Sequence, residues 1–341
     1  MKIAVIFGGA STEHDVSVVS GTSVLKNLNK EKYEILPIYI DREGNWHEYT
    51  KDIKKIEIAK IGEEITELRK LDDIMETLKK QDVLFPVLHG LYGEDGTIQG
   101  LFEILKKPYV GCKVLASSVA MDKVYTKIVL EKAKIQQVKS EYIRKYQNKY
   151  IYIDKEFNET TYELDKLVEI LEEKLPYPMF IKPSNSGSSV GVSKAETKEE
   201  LKKSIENAGM FDKKILVEQG IIGREVETAV LGNEEIQVSE VGEIKAAEDF
   251  YTFDAKYNNQ ASKTIIPAEM SKEQREEIRK TAIKAFKAID GSGLSRVDFF
   301  IEDKTNKIYL NEINTMPGFT TISMYPKLFE AVRNKLCRII R

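Results

Sequence analysis

The sequence predicts an α/β protein: an N-terminal doubly wound unit around a parallel sheet, followed by two further α/β units on mixed or antiparallel sheets. Three observations carry that prediction. The first third of the chain alternates apolar, strand-like runs with helix-period segments. From about Ser117 the alternation gives way to short β-rich runs between amphipathic helices. Near the C-terminus VDFFI and IYLNEIN form two apolar runs joined by a polar turn at 303–307, a hairpin pattern.

The elements follow in order. IAVIF is continuously apolar, as a parallel strand covered on both faces must be. The loop GGASTEHD leads into VSVVSGTSVLKNL, which has helical spacing; Ser11 or Thr12 is a candidate cap and Asp15 an acid suited to the first turn. YEILPIYI and DVLFPVLHG are the next strands and GTIQGLFEILKK the next helix. Ligands of such sheets collect at the loops leaving strand C-termini, here residues 8–15 and 89–96. SSVAMDKVYTKIVLEKA reads as one helix, YIYID and MFIKP as strands, and KEELKKSIENA as a helix. ILVEQGI and EVETAVLG open a third unit. Residues 271–289 form a long amphipathic helix with Ile278, Ala282, Ala285 and Phe286 on one face. The expected units are 1–116, 117–213 and 214–341.

Composition limits the function. The 341 residues suffice for two or three compact units, and 42% hydrophobic with 31% charged residues marks a soluble globular chain. A net charge of −3, with acids and bases interspersed, gives no electrostatic case for nucleic acid or an anionic membrane. No apolar stretch is long enough to span a bilayer, and MKIAVIFGGAS reads as a buried strand and not a leader. Cys112 and Cys337, far apart, read as free thiols of a reducing cytoplasm.

The final hairpin carries the main chemical signal. Asp298, Glu312 and Asn314 place two carboxylates and a side-chain carbonyl at neighbouring strand ends. Mg²⁺ prefers a few carboxylates plus phosphate oxygens to a full protein cage, so the trio points to a metal–nucleotide site. Any two of these acids taken alone read first as ordinary surface charges on a polar-faced strand pair. A second signal lies in MFIKPSNSGSSVGVSKA: Lys182 ends an apolar strand, where a charge needs a partner, and the Gly/Ser loop 184–191 offers backbone N–H groups and hydroxyls to an anion. Its spacing is not that of a Walker loop. Lys123 alone reads as a solvated helix residue, Glu225 as a charge at a strand end, Glu13 as an acid favouring a helix N-terminus, and His89 as a hydrogen-bonded structural residue. Glu94 and Asp95 read as turn and cap acids.

IKPSNSGSSVGVSKA, FDAKY, SRVDFF and NEINTMPGFT, together with IAVIFGGASTEHDVS, LHGLYGEDGTIQG and MDKVYTK in the same order, resemble the D-alanine–D-alanine ligases of the ATP-grasp superfamily over residues 1–327. The resemblance implies that the second and third units form a two-lobed ATP-grasp unit holding ATP between two sheets, with Mg²⁺ (or Mn²⁺), two ions in all, on Asp298, Glu312 and Asn314. It implies that Lys123, Lys182, Ser189, Glu218, Glu225 and Lys256 bind ATP. Glu13 and Ser188 would orient the first D-alanine, with His89 positioning it, and Ser323 and Met324 would lie near the second. Arg296 and the Gly318 N–H would stabilise the oxyanion. DFYTFDAKY would be a lid placing Tyr257 near the substrate; without the resemblance it reads equally as a surface aromatic cluster. The implied setting is a cytoplasmic homodimer making D-alanyl-D-alanine for peptidoglycan. D-serine or D-lactate as second substrate, or an inactive nucleotide-binding regulator, are the alternatives. KIQQVKSEYIRKYQNKYIYIDKEFNETTYE looks longer and more polar than the family pattern, and the segment after Lys327 shorter.

Overall fold

The computed structural model describes residues 1–245 and 263–332. Its first sheet has the order β4-β3-β2-β1-β5, from β1 (Lys2–Gly8), β2 (Glu34–Ile40), β3 (Trp46–Tyr49), β4 (Leu68–Lys70) and β5 (Val83–Val87). Strand β1 lies between β2 and β5 and is parallel to both. Its apolar run is divided between two cores, as the unbroken hydrophobicity demands. Ile3, Val5 and Phe7 pack with Val18, Val24 and Leu25 of α1 (His14–Asn27). Ala4 and Ile6 pack with Leu78 of α2 (Ile74–Lys79) and with Ile98 and Phe102 of α3 (Thr97–Ile104). Helices therefore cover both faces. The sheet is mixed, however, and not wholly parallel: β3 and β4 add antiparallel to β2. The turn 41–45 is the cause, because Asp41 accepts the Glu43 and Asn45 N–H groups and folds the chain straight back.

The second sheet is antiparallel, in the order β10-β9-β11-β6-β7-β8. It comprises β6 (Ser140–Tyr146), β7 (Lys149–Ile153), β8 (Glu159–Tyr162), β9 (Met179–Pro183), β10 (Ser193–Ala195) and β11 (Lys214–Gln219), and its apolar face packs on α6 (Leu164–Lys174) and α7 (Lys198–Phe211). Strand β11, which the boundary at 213/214 assigns to the third unit, lies in the middle of this sheet between β9 and β6. The long polar stretch is the β6–β7–β8 meander at one edge.

The third sheet, order β14-β13-β12-β15-β16, is also antiparallel. It consists of β12 (Gly223–Leu231), β13 (Gln237–Lys245), β14 (Lys263–Ile265), β15 (Leu294–Glu302) and β16 (Ile308–Asn314). One face rests on α8 (Lys272–Ala288), whose buried Ile278, Ala282, Ala285 and Phe286 are the expected stripe; Ser271 and Gln274 close a capping box at its start. The segment read as one helix from 117 to 133 is two: α4 (Val114–Met121) and α5 (Lys123–Lys132). Asp122 breaks it. Its extended backbone (φ −85°, ψ 101°) lets its carboxylate accept the Tyr125 N–H and cap α5.

After β16 the chain returns to the first unit through α9 (Met324–Glu330). Phe319 meets Phe85 edge-on at 5.9 Å and Tyr325 at 5.7 Å, so one apolar core joins the first and third units. Helix α1 runs through that junction. Gly21 allows it, since a Cβ there would lie 2.3 Å from Phe7 Cβ.

Candidate active site

Period-two alternation builds the acidic wall. Val226, Thr228, Val297, Phe299 and Ile313 are buried, several of them in the core under α8, so the intervening residues share the opposite face. Register then aligns them: Glu227 on β12 faces Asp298 on β15, which faces Glu312 on β16, while Arg296 faces Asn314. Asp298 is 1% exposed. Arg296 donates to it twice, Nε to Oδ1 at 2.8 Å and Nη2 to Oδ2 at 2.7 Å, and Asn314 Nδ2 donates to Oδ2 at 3.0 Å. Glu227 lies 3.0 Å from Arg296 Nε. Burial opposes the guanidinium's charge, but Asp298 and Glu227, with Glu312 behind them, more than restore it. Three carboxylates thus face one guanidinium, a surplus of negative charge that suits a divalent cation. Among the described residues no three His, Cys, Asp or Glu side chains converge on a point. Two carboxylates and an amide carbonyl are what Mg²⁺ needs when phosphate oxygens and water complete its shell.

Lysines face this wall. Lys182 Nζ, on β9, pairs with Glu218 of β11 at 2.5 Å, and Lys127 of α5 pairs with the same carboxylate at 2.7 Å. Glu218 is 3% exposed; burial opposes its charge, yet the two ammonium groups hold its carboxyl down to about 2. Burial also works against the Lys182 ammonium, but Glu218, Glu312 and Glu225 keep its pKa above the ordinary value. Burial lowers the pKa of Lys123, with Glu312 opposing. Lys123 and Lys182 of the second unit therefore lie within electrostatic reach of Glu225 and Glu312 of the third.

Asp122 fixes the Gly/Ser loop to α5. Ser184 Oγ donates to Asp122 Oδ1 at 2.5 Å and accepts the Val124 N–H at 3.2 Å; Ser184 O accepts the Lys123 N–H at 3.1 Å. Lys214 pairs with the other Asp122 oxygen, and Lys123 Nζ donates to Ser186 O. Ser188 and Ser189 sit at the loop's tip with positive φ, 46° and 62°. Ser188 Oγ donates to Glu13 Oε2 at 2.6 Å, a contact spanning 175 residues that joins the loop to the first unit. A Cβ on Gly187 would sit 2.0 Å from Glu13 Oε1, so any larger residue there would push the Glu13 carboxylate out of its place against Ser188.

Around Glu13, itself 7% exposed, the two loops of the first unit meet. Ser11 does not cap α1 through N2 or N3. Its hydroxyl accepts the Glu13 N–H at 3.1 Å and donates to His89 O at 2.7 Å, and the helix starts without a side-chain cap. His89 is buried; Nδ1 meets Met316 O and Nε2 meets Ser20 Oγ, both at 3.0 Å. Burial pulls its pKa down to about 4, so the ring is neutral. Glu94 accepts the Gly90 N–H at 2.8 Å and the Met316 N–H at 3.2 Å. Burial, then the Glu13 charge, pushes its carboxyl up to about 8.

Gly318 and Ser323 touch: a Cβ on Gly318 would lie 2.6 Å from Ser323 Oγ, which accepts the Thr320 N–H at 3.0 Å. Met324 is a different case. It is 4% exposed, and its Cε would lie 2.4 Å from a Cβ on Gly242, where Leu328 and Ile266 also converge. Among the described residues Met324 packs in the apolar core that joins the first and third units. Lys256 and Tyr257, with the lid segment 249–257, lie outside the described residues, as does Cys337. Cys112 is a buried free thiol. Asp122, Lys127, Ser20 and Glu227 were missed by sequence reasoning. Only Asp122, an Asp directly before a helical run, carried a readable signal.

Two antiparallel lobes whose lysines and carboxylates face one another, joined to a mixed-sheet unit, form the arrangement expected of the ATP-grasp class. Family profiles for the D-ala D-ala ligase N-terminus and C-terminus match residues 2–112 and 146–340. The D-alanine–D-alanine ligase of Clostridium acetobutylicum is 49% identical, over 99% of this chain and 95% of its own. Among solved structures, the VanG D-Ala:D-Ser ligase from Enterococcus faecalis is 37% identical with a TM-score of 0.84 over 99% of this chain and 97% of its own. The D-alanine–D-alanine ligase from Coxiella burnetii is 31% identical, with a TM-score of 0.84 over 100% and 91%. The chain belongs to the D-alanine–D-alanine ligase family.

Proposed function

We propose that the protein joins two D-alanines into D-alanyl-D-alanine, consuming one ATP. A free carboxylate does not condense with an amine. The first D-alanine carboxylate therefore attacks the γ-phosphorus of ATP, forming an acyl phosphate and releasing ADP. The free amine of the second D-alanine then attacks that carbonyl, and phosphate leaves. The observation that carries this reading is the Ser188–Glu13 contact, which sets an anionic side chain of the first unit beside the phosphate-type loop of the second. Glu13 is placed to hold the first substrate's ammonium. Lys182, its charge favoured by the carboxylates facing it, and Lys123 would offset phosphate charge with Ser189 nearby. Glu225 and Glu218 frame the nucleotide side, Glu218 acting through Lys182 and Lys127. Asp298, Glu312 and Asn314 would hold Mg²⁺, which neutralises charge developing on the phosphates. Arg296 fixes Asp298, and the Gly318 N–H is our candidate oxyanion donor.

The setting we infer is bacterial cytoplasm, a homodimer, and supply of the peptidoglycan precursor pool. Among the described residues no helix is long and apolar enough to cross a membrane. A second reading, ligation of D-alanine to D-serine, is favoured by the likeness to the VanG enzyme. An inactive nucleotide-binding regulator is disfavoured by the presence of Lys182, Asp298, Glu312 and Asn314 together. ATP turnover with and without D-alanine separates enzyme from regulator: an enzyme releases phosphate only when D-alanine is present, and a regulator gives the same trace either way.

A further inference from the structure

Ser20 lies on α1, fully buried, and no part of the mechanism above uses it. Its hydroxyl meets His89 Nε2 at 3.0 Å and accepts the Phe319 N–H at 3.1 Å. On the far side of the imidazole, Nδ1 meets Met316 O at 3.0 Å. A backbone carbonyl has no proton to give, so Nδ1 carries the hydrogen. The neutral ring then has a bare Nε2 that can only accept. Ser20 supplies its single proton there, which leaves its lone pairs for Phe319. Every group has one role, and the chain runs one way, from the Phe319 N–H through Ser20 and His89 to the Met316 carbonyl. Its two ends bracket Pro317 and Gly318. A Cβ on Gly318 would stand only 3.8 Å from Ser20 Oγ.

We propose that Ser20 is a positioning residue for the ligation: with His89 it fixes the 316–319 turn against the first unit and so aims the Gly318 N–H at the reacting carbonyl. The inference rests on the function proposed above. Helix α1 is a rigid support for this task, since Gly21 lets it lie directly on Phe7 of β1. Ser20→Ala removes both the donor to Nε2 and the acceptor for Phe319 while leaving the turn's covalent structure intact. A displaced donor costs rate more than it costs binding, because it acts where charge develops.

The test combines kinetics with imidazole NMR. Ser20→Ala should lower kcat about ten- to a hundredfold, the scale of a small misplacement at a reacting centre, with KM for ATP within about twofold. Ser20→Ala/His89→Gln should be no slower than the worse single variant by more than about threefold, because both cut one chain. With only His14, His47 and His89 in the chain, the ¹⁵N imidazole spectrum is readily assigned. His89 should appear as the Nδ1–H tautomer, and Ser20→Ala should shift its Nε2 resonance alone. Unchanged kcat in a folded Ser20→Ala protein, losses that multiply in the double variant, or an Nε2–H tautomer in the wild type would each overturn the proposal. If Ser20→Ala does not fold, the wild-type tautomer still decides the chain's direction. A wild type that makes no dipeptide would refute the proposed function instead, and leaves the tautomer measurement standing.

Discussion

At the residue scale, the acidic wall and the apolar core give contrasting predictions. Glu312 stands opposite Asp298 at the end of the last hairpin and within reach of Lys123 and Lys182. Glu312→Gln keeps its size but removes one carboxylate from the proposed cation site. Turnover at ordinary Mg²⁺ should fall about a hundredfold or more, with the melting temperature little changed; near-normal turnover would refute the assignment. Met324→Arg should act on the fold. It forces a guanidinium among Gly242, Leu328 and Ile266, and an unpaired buried charge costs about 3 kcal/mol or more. Urea denaturation should show that loss, and a variant as stable as the wild type would contradict the buried position. The sequence made Asp298, Glu312 and Lys182 legible because charges at the ends of apolar strands need a reason. The burial of Met324 was not legible, because an apolar side chain after a loop looks the same whether it lines a pocket or fills a core.

At the element scale, the break between α4 and α5 does the most for the site. Asp122 starts α5, bonds Ser184 and pairs with Lys214, so one carboxylate sets Lys123 and the Gly/Ser loop together. Asp122→Ala should raise KM for ATP about tenfold while KM for D-alanine changes less, since the loop then loses its anchor. Equal changes in both constants would mean a general loss of structure. The break was readable in principle, because Asp before a helix-forming run is a capping signal. Continuous helical spacing on both sides of it concealed the signal. The long amphipathic helix and the final hairpin were legible because their periodicity is strong. Strands β6 and β8 were not, since their largely polar residues carry little alternation, β8 lying at the sheet's edge.

At the scale of the whole molecule, the site is assembled by contacts that no local pattern encodes. Glu13 meets Ser188, His89 meets Met316, and Glu94 bridges Gly90 to Met316 across more than two hundred residues of chain. Burial of Glu94 has a consequence for pH. Its folded pKa, about 8, lies above the ordinary 4.5, so the folded state binds the extra proton and loses stability as pH rises through that range. His89, held at about 4 against an ordinary 6.5, acts in the opposite direction, its contribution being lost as pH falls from 6.5 towards 4. Above 6.5 the Glu94 effect stands without that opposition. Urea unfolding should give lower stability at pH 8.5 than at 6.5, and Glu94→Gln should flatten the difference. A wild type whose stability rises over that interval would contradict the burial of this carboxyl.

The central claim is the reaction itself. The most direct test incubates the protein with ATP, Mg²⁺ and equal D-alanine, D-serine and D-lactate, and reads the products by mass spectrometry. The account predicts D-alanyl-D-alanine as the main product, with one ADP and one phosphate released per dipeptide and nothing formed when ATP is omitted. D-alanyl-D-serine or D-alanyl-D-lactate as the main product, or ATP hydrolysis with no dipeptide, would contradict it.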